Sequence, residues 1–135
     1  GRTLDHRALE TMHTLKTGAL IRASVRLAAL AAEAPGAARM DTLTRFGHHV
    51  GLAFQVHDDV LDESGSTEAL GKTSGADRAR EKPTYAAVLG LDAARRHARE
   101  LVENALEDLA GFGSEADLLR HLAYLILSLP EAQLN

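Results

Sequence analysis

Apolar residues recur along this chain at spacings compatible with helices. The chain has no long alternation of Val, Ile and Thr of the kind that would indicate a strand. From about Leu4 to Glu33 the apolar residues cover most sides of the predicted helix and leave only a narrow polar face. Such a pattern is typical of a helix inside a bundle. Pro35 and Gly36 predict where this first helix ends.

The rest of the chain predicts four more helices, joined by short and medium connections. Their expected ranges are about 41–63, 83–90, 92–109 and 114–129. Asp41 and Ser114 are plausible N-caps, Pro83 suits a first helical turn, and Gly90 predicts a break. A loop rich in Gly and Ser is expected after Glu63. We therefore predict an all-α helical bundle, with residues 1–135 in one domain.

Composition and charge narrow the classes of function. The chain has 135 residues, enough for one modest domain, and a net charge of -4 without a basic stripe, which argues against nucleic acid as a partner. The absence of cysteine removes disulfides and thiolate metal sites and fits a reducing compartment. The longest apolar run, LAYLILSL, is too short to span a bilayer. We expect a cytoplasmic protein without a membrane span.

The stretch FQVHDDVLD, residues 54–62, sets three carboxylates inside an apolar run. On a helical wheel four of its polar side chains, Gln55, Asp58, Asp59 and Asp62, share an arc of about 100° and form one polar wall of the helix. Toward the N-terminus the same wall carries mostly small residues, Thr44, Gly47, His48 and Gly51, which predicts open space in front of it. Neighbouring carboxylates repel by about 1 kcal/mol per pair in water at 4 Å. A solvated acidic face and a Mg²⁺ site completed by water and phosphate both explain the pattern.

Three lysines could supply positive charge for a ligand phosphate. Lys16 and Thr17 lie in LKTGAL before Gly18, where a missing side chain lets a backbone or a ligand come close. Lys72 and Lys82 lie in GKTSGADRAREKPTY, after the acidic stretch. Each lysine alone is compatible with a merely solvated or snorkelling side chain. Together, carboxylates for a metal and lysines for phosphate oxygens indicate a metal-diphosphate site.

These three motifs, in this order and at these separations, resemble the C-terminal half of trans-isoprenyl diphosphate synthases, also called the polyprenyl synthetase family. The resemblance extends from about Leu9 to Leu127. It implies the all-α isoprenoid synthase fold, of which this chain would be the C-terminal portion. It also implies a homodimeric prenyltransferase that uses Mg²⁺ to ionise an allylic diphosphate and condenses it with isopentenyl diphosphate.

The resemblance also implies roles for individual residues. FQVHDDVLD would be the second aspartate-rich motif, with Asp58 holding one Mg²⁺ directly and Asp59 and Asp62 acting through water or at longer reach. Lys16 and Lys72 would bind the allylic diphosphate. The Mg²⁺ held by the aspartates, together with the two lysines, would stabilise the negative charge that develops on the leaving group.

Three more side chains complete the implied site. Lys82 would assist diphosphate binding, and Thr17 and Gln55 would direct their oxygens at the developing allylic cation. Uncharged dipoles in a dry pocket suit that task, because they stabilise positive charge without attacking it.

Two features of the family are missing from this sequence. It contains neither a first aspartate-rich motif nor the basic motif that binds isopentenyl diphosphate. We therefore expect the chain to be the C-terminal part of a longer enzyme, inactive without its N-terminal half. Two alternatives stay open: a non-catalytic helical subunit that binds metal-diphosphate, and a class I terpene cyclase. Cyclases of this fold usually carry an Asn/Ser/Glu metal motif where this chain has three aspartates.

Overall fold

A computed structural model describes residue 11 and residues 17–31, 36–69 and 84–128, without the side chains of residues 65–69. Every regular element in these ranges is helical, which confirms the all-α prediction. The α-helices are α1 (Ala19–Ala31), α2 (Ala37–Ala69), α3 (Tyr85–Leu89), α4 (Leu91–Asp108) and α5 (Asp117–Ser128). A 3-10 turn, Ser114–Ala116, precedes α5.

The start of α2 differs from the prediction. The helix begins at Ala37 rather than at Asp41, and the carbonyl of Gly36 accepts hydrogen bonds from the N–H groups of Arg39 at 2.9 Å and Met40 at 3.2 Å. Alanine is the strongest helix former, so the two alanines after Gly36 join the helix without a side-chain cap. The predicted N-cap at Asp41 is therefore wrong.

The end of α2 also differs from the prediction. The helix continues past Glu63 to Ala69, so the first part of the expected loop is helical. The hydroxyl of Ser64 donates to the carbonyl of Val60 at 2.8 Å, which satisfies a serine inside a helix. The rest of the expected loop, residues 70–82, lies outside the described residues. The next helix begins at Tyr85 with Thr84 as its N-cap, two residues after the predicted start at Pro83.

The helices after residue 84 follow the prediction closely. The hydroxyl of Thr84 caps α3 by accepting from the N–H of Ala87 at 3.1 Å. Gly90, at φ 83°, adopts a conformation that favours glycine and separates α3 from α4. The last helix is described as far as Ser128, and its predicted end at Leu129 lies outside the described residues.

The turn between α4 and α5 is held by an arginine instead of a serine cap. Ser114 lies inside the 3-10 turn, so its predicted role as an N-cap is wrong. The guanidinium of Arg120 donates to the carbonyls of Leu109 at 2.8 Å, Phe112 at 2.7 Å and Gly113 at 2.9 Å. The fixed fork of an arginine suits several convergent acceptors. Arg120 thereby ties α5 to the residues that follow the end of α4.

The core forms around α2, which packs against α4 on one side and against α1 on another. A polar link adds to this packing: one carboxylate oxygen of Asp108 accepts from Arg45 Nε at 3.0 Å, and the other lies 2.7 Å from His49 Nδ1. The larger buried apolar side chains are Leu43, Phe46, Leu52, Val56, Val60, Tyr85, Leu101, Val102, Leu109 and Ile126.

Apolar side chains on α1 and α5 remain exposed in the described structure. On α1, Leu20 is 69% exposed and Leu27 is 65% exposed, so the expectation of a helix enclosed in a bundle is not met in the described residues. Ile126 of α5 is buried in the core, whereas Leu118 is exposed on the same helix. None of the helices described here combines the length and the apolar character needed to cross a bilayer.

Candidate functional site

The middle of α2 carries the acidic motif, and the four side chains of the predicted polar wall occupy two environments. Gln55 and Asp59 are buried, whereas Asp58 and Asp62 are exposed. The predicted polar wall is thus divided: one edge of the arc lies against the protein and the other faces outward. Asp58 and Asp62 are one helical turn apart and share the outward face.

Asp59 is the buried carboxylate of the motif, with only 8% of the residue exposed. Its Oδ2 atom accepts a hydrogen bond from the backbone N–H of Tyr85 at 2.8 Å. Tyr85 is the first residue of α3 and is fully buried. This contact joins the acidic motif to the end of the KPTY sequence, 26 residues further along the chain.

The small residues of α2 allow a close helix contact. A Cβ atom added to Gly51 would lie 2.8 Å from the Cα atom of Gly18, and one added to Gly47 would lie 3.0 Å from the Cα atom of Arg22. The prediction that Gly18 permits close approach is confirmed. The expected space in front of Gly47 and Gly51 is wrong, because the chain from Gly18 into α1 fills it.

This contact brings the described part of the LKTGAL motif beside the acidic motif. Thr17 and Gly18 are in π-helical conformation, a wide turn that is frequent at functional sites, and Thr17 is partly buried. Along the axis of α2, Gly51 precedes Gln55 by about 6 Å and Asp58 by about 10 Å, at 1.5 Å per residue. Thr17, Gln55 and Asp58 therefore lie along one stretch of α2. They carry a hydroxyl, a buried amide and an exposed carboxylate, respectively.

The predicted lysines cannot be placed in the same way. Lys16, Lys72 and Lys82 all lie outside the described residues. Lys16 directly precedes Thr17 in the sequence, and Lys82 precedes Tyr85 by three residues. The predicted assembly of all three lysines around the acidic motif stays a prediction.

The described carboxylates fit one kind of metal site and not another. Within residues 17–31, 36–69 and 84–128, no group of three or more His, Asp or Glu side chains is arranged to hold a metal. Mg²⁺ is usually bound through one or two carboxylates, with water and substrate phosphates as the other ligands. Asp58 and Asp62 fit that pattern. They fit a metal shared with a diphosphate better than a metal enclosed by protein ligands.

Comparisons with known proteins all indicate the same family. A model of the family described as Polyprenyl synthetase matches residues 2–125. Farnesyl diphosphate synthase of Escherichia coli (strain K12) is 47% identical over 123 residues, which cover 89% of this chain and 41% of that protein. Farnesyl diphosphate synthase of Bacillus subtilis (strain 168) is 36% identical over 118 residues, covering 87% of this chain and 40% of the relative.

A solved structure agrees with these relatives. The apo crystal structure of an FPP/GFPP synthase from Zymomonas mobilis matches with a TM-score of 0.74 and 33% identity, over 93% of this chain and 39% of that one. The chain thus has the all-α fold of these synthases. It spans about two-fifths of the length of the relatives that it matches.

Proposed function

The chain belongs to the polyprenyl synthetase family, and from that membership we propose that it supplies the second aspartate-rich half of a prenyltransferase site. The reaction condenses an allylic diphosphate with isopentenyl diphosphate. One observation carries the proposal: exposed Asp58, buried Gln55 and the Thr17–Gly18 turn lie along one stretch of α2. The proposed reaction needs a carboxylate that binds the metal of a metal-diphosphate and uncharged polar groups that stabilise a carbocation. Asp58 supplies the first, and Gln55 and Thr17 supply the second.

The outward face of α2 binds the metal and the leaving group in this proposal. Asp58 holds Mg²⁺ directly, and Asp62, one turn further along the same face, acts at longer reach. Lys16, Lys72 and Lys82 bind the oxygens of the diphosphate as point charges. Bound Mg²⁺ would supply Lewis-acid stabilisation of the negative charge that develops on the departing diphosphate.

The buried side of the same stretch stabilises the opposite charge. Gln55 is 7% exposed, so its amide dipole acts on the allylic cation with little competition from water. The hydroxyl of Thr17 adds a second uncharged dipole. Neither group is a strong nucleophile, so the cation persists until the double bond of isopentenyl diphosphate adds to it. The new carbocation then loses a proton to the released diphosphate.

The rest of the site comes, in this proposal, from the N-terminal half of the same enzyme. Two observations support this: the chain spans 41% of its E. coli relative, and α1 exposes leucines that another part of the protein would cover. The N-terminal half would bring the isopentenyl diphosphate site and the other metal ligands. The complete enzyme would act as a homodimer.

A condensation assay tests the proposed function. The intact enzyme is incubated with an allylic diphosphate and labelled isopentenyl diphosphate, with Mg²⁺ or with excess chelator. We expect a lengthened prenyl diphosphate that forms only with Mg²⁺, and no product from residues 1–135 alone. Diphosphate binding without extension would instead assign a non-catalytic subunit, and a cyclic product formed without isopentenyl diphosphate would assign a cyclase.

A further inference from the structure

The helix α1 is apolar on nearly all sides but is covered on only one of them. Among the described helices it packs only on α2. Its sequence, ALIRASVRLAALA, has two arginines and one serine as its only polar residues. On the side that α2 leaves open, Leu20 is 69% exposed, Leu27 65% and Leu30 57%. A helix of this composition is usually buried, so we expect another element of the protein to cover the open side.

The open side of α1 contains a groove shaped to receive another helix. Its volume is about 380 Å³, and it is lined by Ala19, Arg22, Ala23, Arg26, Leu27 and Leu30. The first four of these residues have the spacing i, i+3, i+4, i+7, and the last four repeat this spacing one turn later. In helix packing, four residues of one helix form the hole that receives one side chain of the facing helix. The groove thus consists of two consecutive holes, which a helix with two apolar side chains one turn apart would fill.

Two positive charges lie along one border of the groove. At about 100° per residue, Arg22 and Arg26 are on one side of the alanines and Leu27 is on the other. Like charges one turn apart repel each other. The helix α1 has no acidic residue, and neither arginine forms an ion pair with another described residue. Because charged residues beside a packed seam select the partner helix, the groove favours a helix that carries a carboxylate beside its two apolar side chains.

A second copy of this chain does not fit the groove. Two α1 helices packed together would bring no carboxylate to the arginines, and an antiparallel pair would place arginines opposite arginines. The contact would also be small. Burying one leucine side chain removes roughly 100 Å² of apolar surface from water, so the exposed fractions of Leu20, Leu27 and Leu30 leave about 200 Å² to cover. A stable interface between separate proteins buries about 800 Å² on each partner.

We propose that the groove receives a helix from the N-terminal half of the same enzyme, which fills the two holes with apolar side chains and places a carboxylate against Arg22 and Arg26. A helix of the same polypeptide is held close to α1 by the chain, so a small contact is sufficient. The chain spans 41% of its E. coli relative, which leaves ample length for such a helix. The origin of the helix in the N-terminal half rests on the proposed function, whereas the shape and charge of the groove do not.

Thiol labelling of the intact enzyme tests whether the groove is filled and by what. The chain has no cysteine, so Leu27→Cys places a single thiol of this chain in the groove, in an enzyme whose other half is made cysteine-free. Gly111→Cys, in the exposed turn after α4, is the reference for an open thiol. Each labelling rate is divided by that of the same variant unfolded in guanidinium chloride. We expect Leu27→Cys to react with maleimide at least about a hundredfold more slowly than Gly111→Cys, because the partner helix must first move away.

Dilution distinguishes a helix of the same polypeptide from a second copy. A contact within one polypeptide does not depend on protein concentration, whereas an interface between copies does. The protection of Leu27→Cys should therefore stay unchanged when the enzyme is diluted until its subunits separate.

Substitutions at Arg26 test the predicted carboxylate. Arg26→Glu should speed the labelling of Leu27→Cys by at least about tenfold, because it sets like charges against each other inside the contact. Arg26→Met keeps an apolar stem and removes only the charge, so its effect should be smaller. Arg99→Glu makes the same change of charge on an exposed part of α4. It is the matched control and should leave the labelling rate unchanged.

Three results would overturn the proposal. Equal labelling of Leu27→Cys and Gly111→Cys would show that the groove is open. Protection that disappears on dilution would assign a second copy as the occupant. Equal effects of Arg26→Glu and Arg99→Glu would show that no carboxylate faces the arginines. Failure of the wild-type enzyme to condense its substrates would reject the proposed function alone, because labelling still tests what fills the groove.

Discussion

Asp58→Ala is expected to lower the turnover of the intact enzyme by roughly a hundredfold to a thousandfold, the range found when one preorganised electrostatic group is removed from an active site. Asp58 is exposed on α2, so its removal leaves no cavity in the core. The loss should therefore appear in the rate of condensation and in the Mg²⁺ requirement. The melting temperature should stay close to that of the wild type.

Asp41→Ala is the matched control for this prediction. It removes an exposed carboxylate from the same helix, far from the acidic motif, and should retain wild-type turnover. Rates are measured with saturating allylic diphosphate over a range of Mg²⁺ concentrations. Near-normal turnover of Asp58→Ala at low Mg²⁺ would remove Asp58 from the metal site.

Gly51→Ala is expected to cause the largest loss of stability among the alanine substitutions at Gly47, Gly51 and Gly111. The added Cβ atom would lie 2.8 Å from the Cα atom of Gly18, and a backbone atom cannot turn aside as the end of a side chain can. The two segments must separate, and overpacking of this kind costs about 1–3 kcal/mol, occasionally more. Because the separation also moves Thr17 away from α2, we expect weaker binding of the allylic diphosphate together with a lower melting temperature.

Gly111→Ala is the control for the predicted loss of stability in Gly51→Ala. No atom lies within 4 Å of a Cβ added there, and Gly111 is exposed. Gly47→Ala, whose Cβ would lie 3.0 Å from the Cα atom of Arg22, should fall between the two. Thermal unfolding of the three variants checks this order. Equal melting temperatures for Gly51→Ala and Gly111→Ala would mean that α1 and α2 are not in close contact.

Local chemistry determined how well each helix could be predicted. Gly90 lies at a true break, since its φ of 83° is a conformation that favours glycine. The next helix, α4, follows with nearly the predicted bounds. The bounds of α2 were missed at both ends. Alanine propensity extended its start to Ala37, and Ser64 satisfied its hydroxyl within the helix, so the serine did not interrupt it.

The candidate site was harder to predict than the helices, because it depends more on contacts between residues that are distant in the sequence. A helical wheel correctly grouped Asp58 with Asp62, but it could not tell which edge of the polar arc faces the protein. The bond from Asp59 to Tyr85 joins residues 26 apart and has no local sequence pattern. Gly47 and Gly51, one turn apart, are as compatible with close helix contact as with open space, and only the packing of the chain distinguishes the two.

A crystal structure of the intact enzyme with Mg²⁺ and inorganic diphosphate tests the central claim most directly. We predict a Mg²⁺ ion about 2.1 Å from an oxygen of Asp58 and bound to the diphosphate, with Lys16 and Lys72 on the diphosphate oxygens. The carboxylate of Asp59 should still accept from the N–H of Tyr85. A metal-diphosphate bound away from Asp58, or one that neither lysine contacts, would contradict the account.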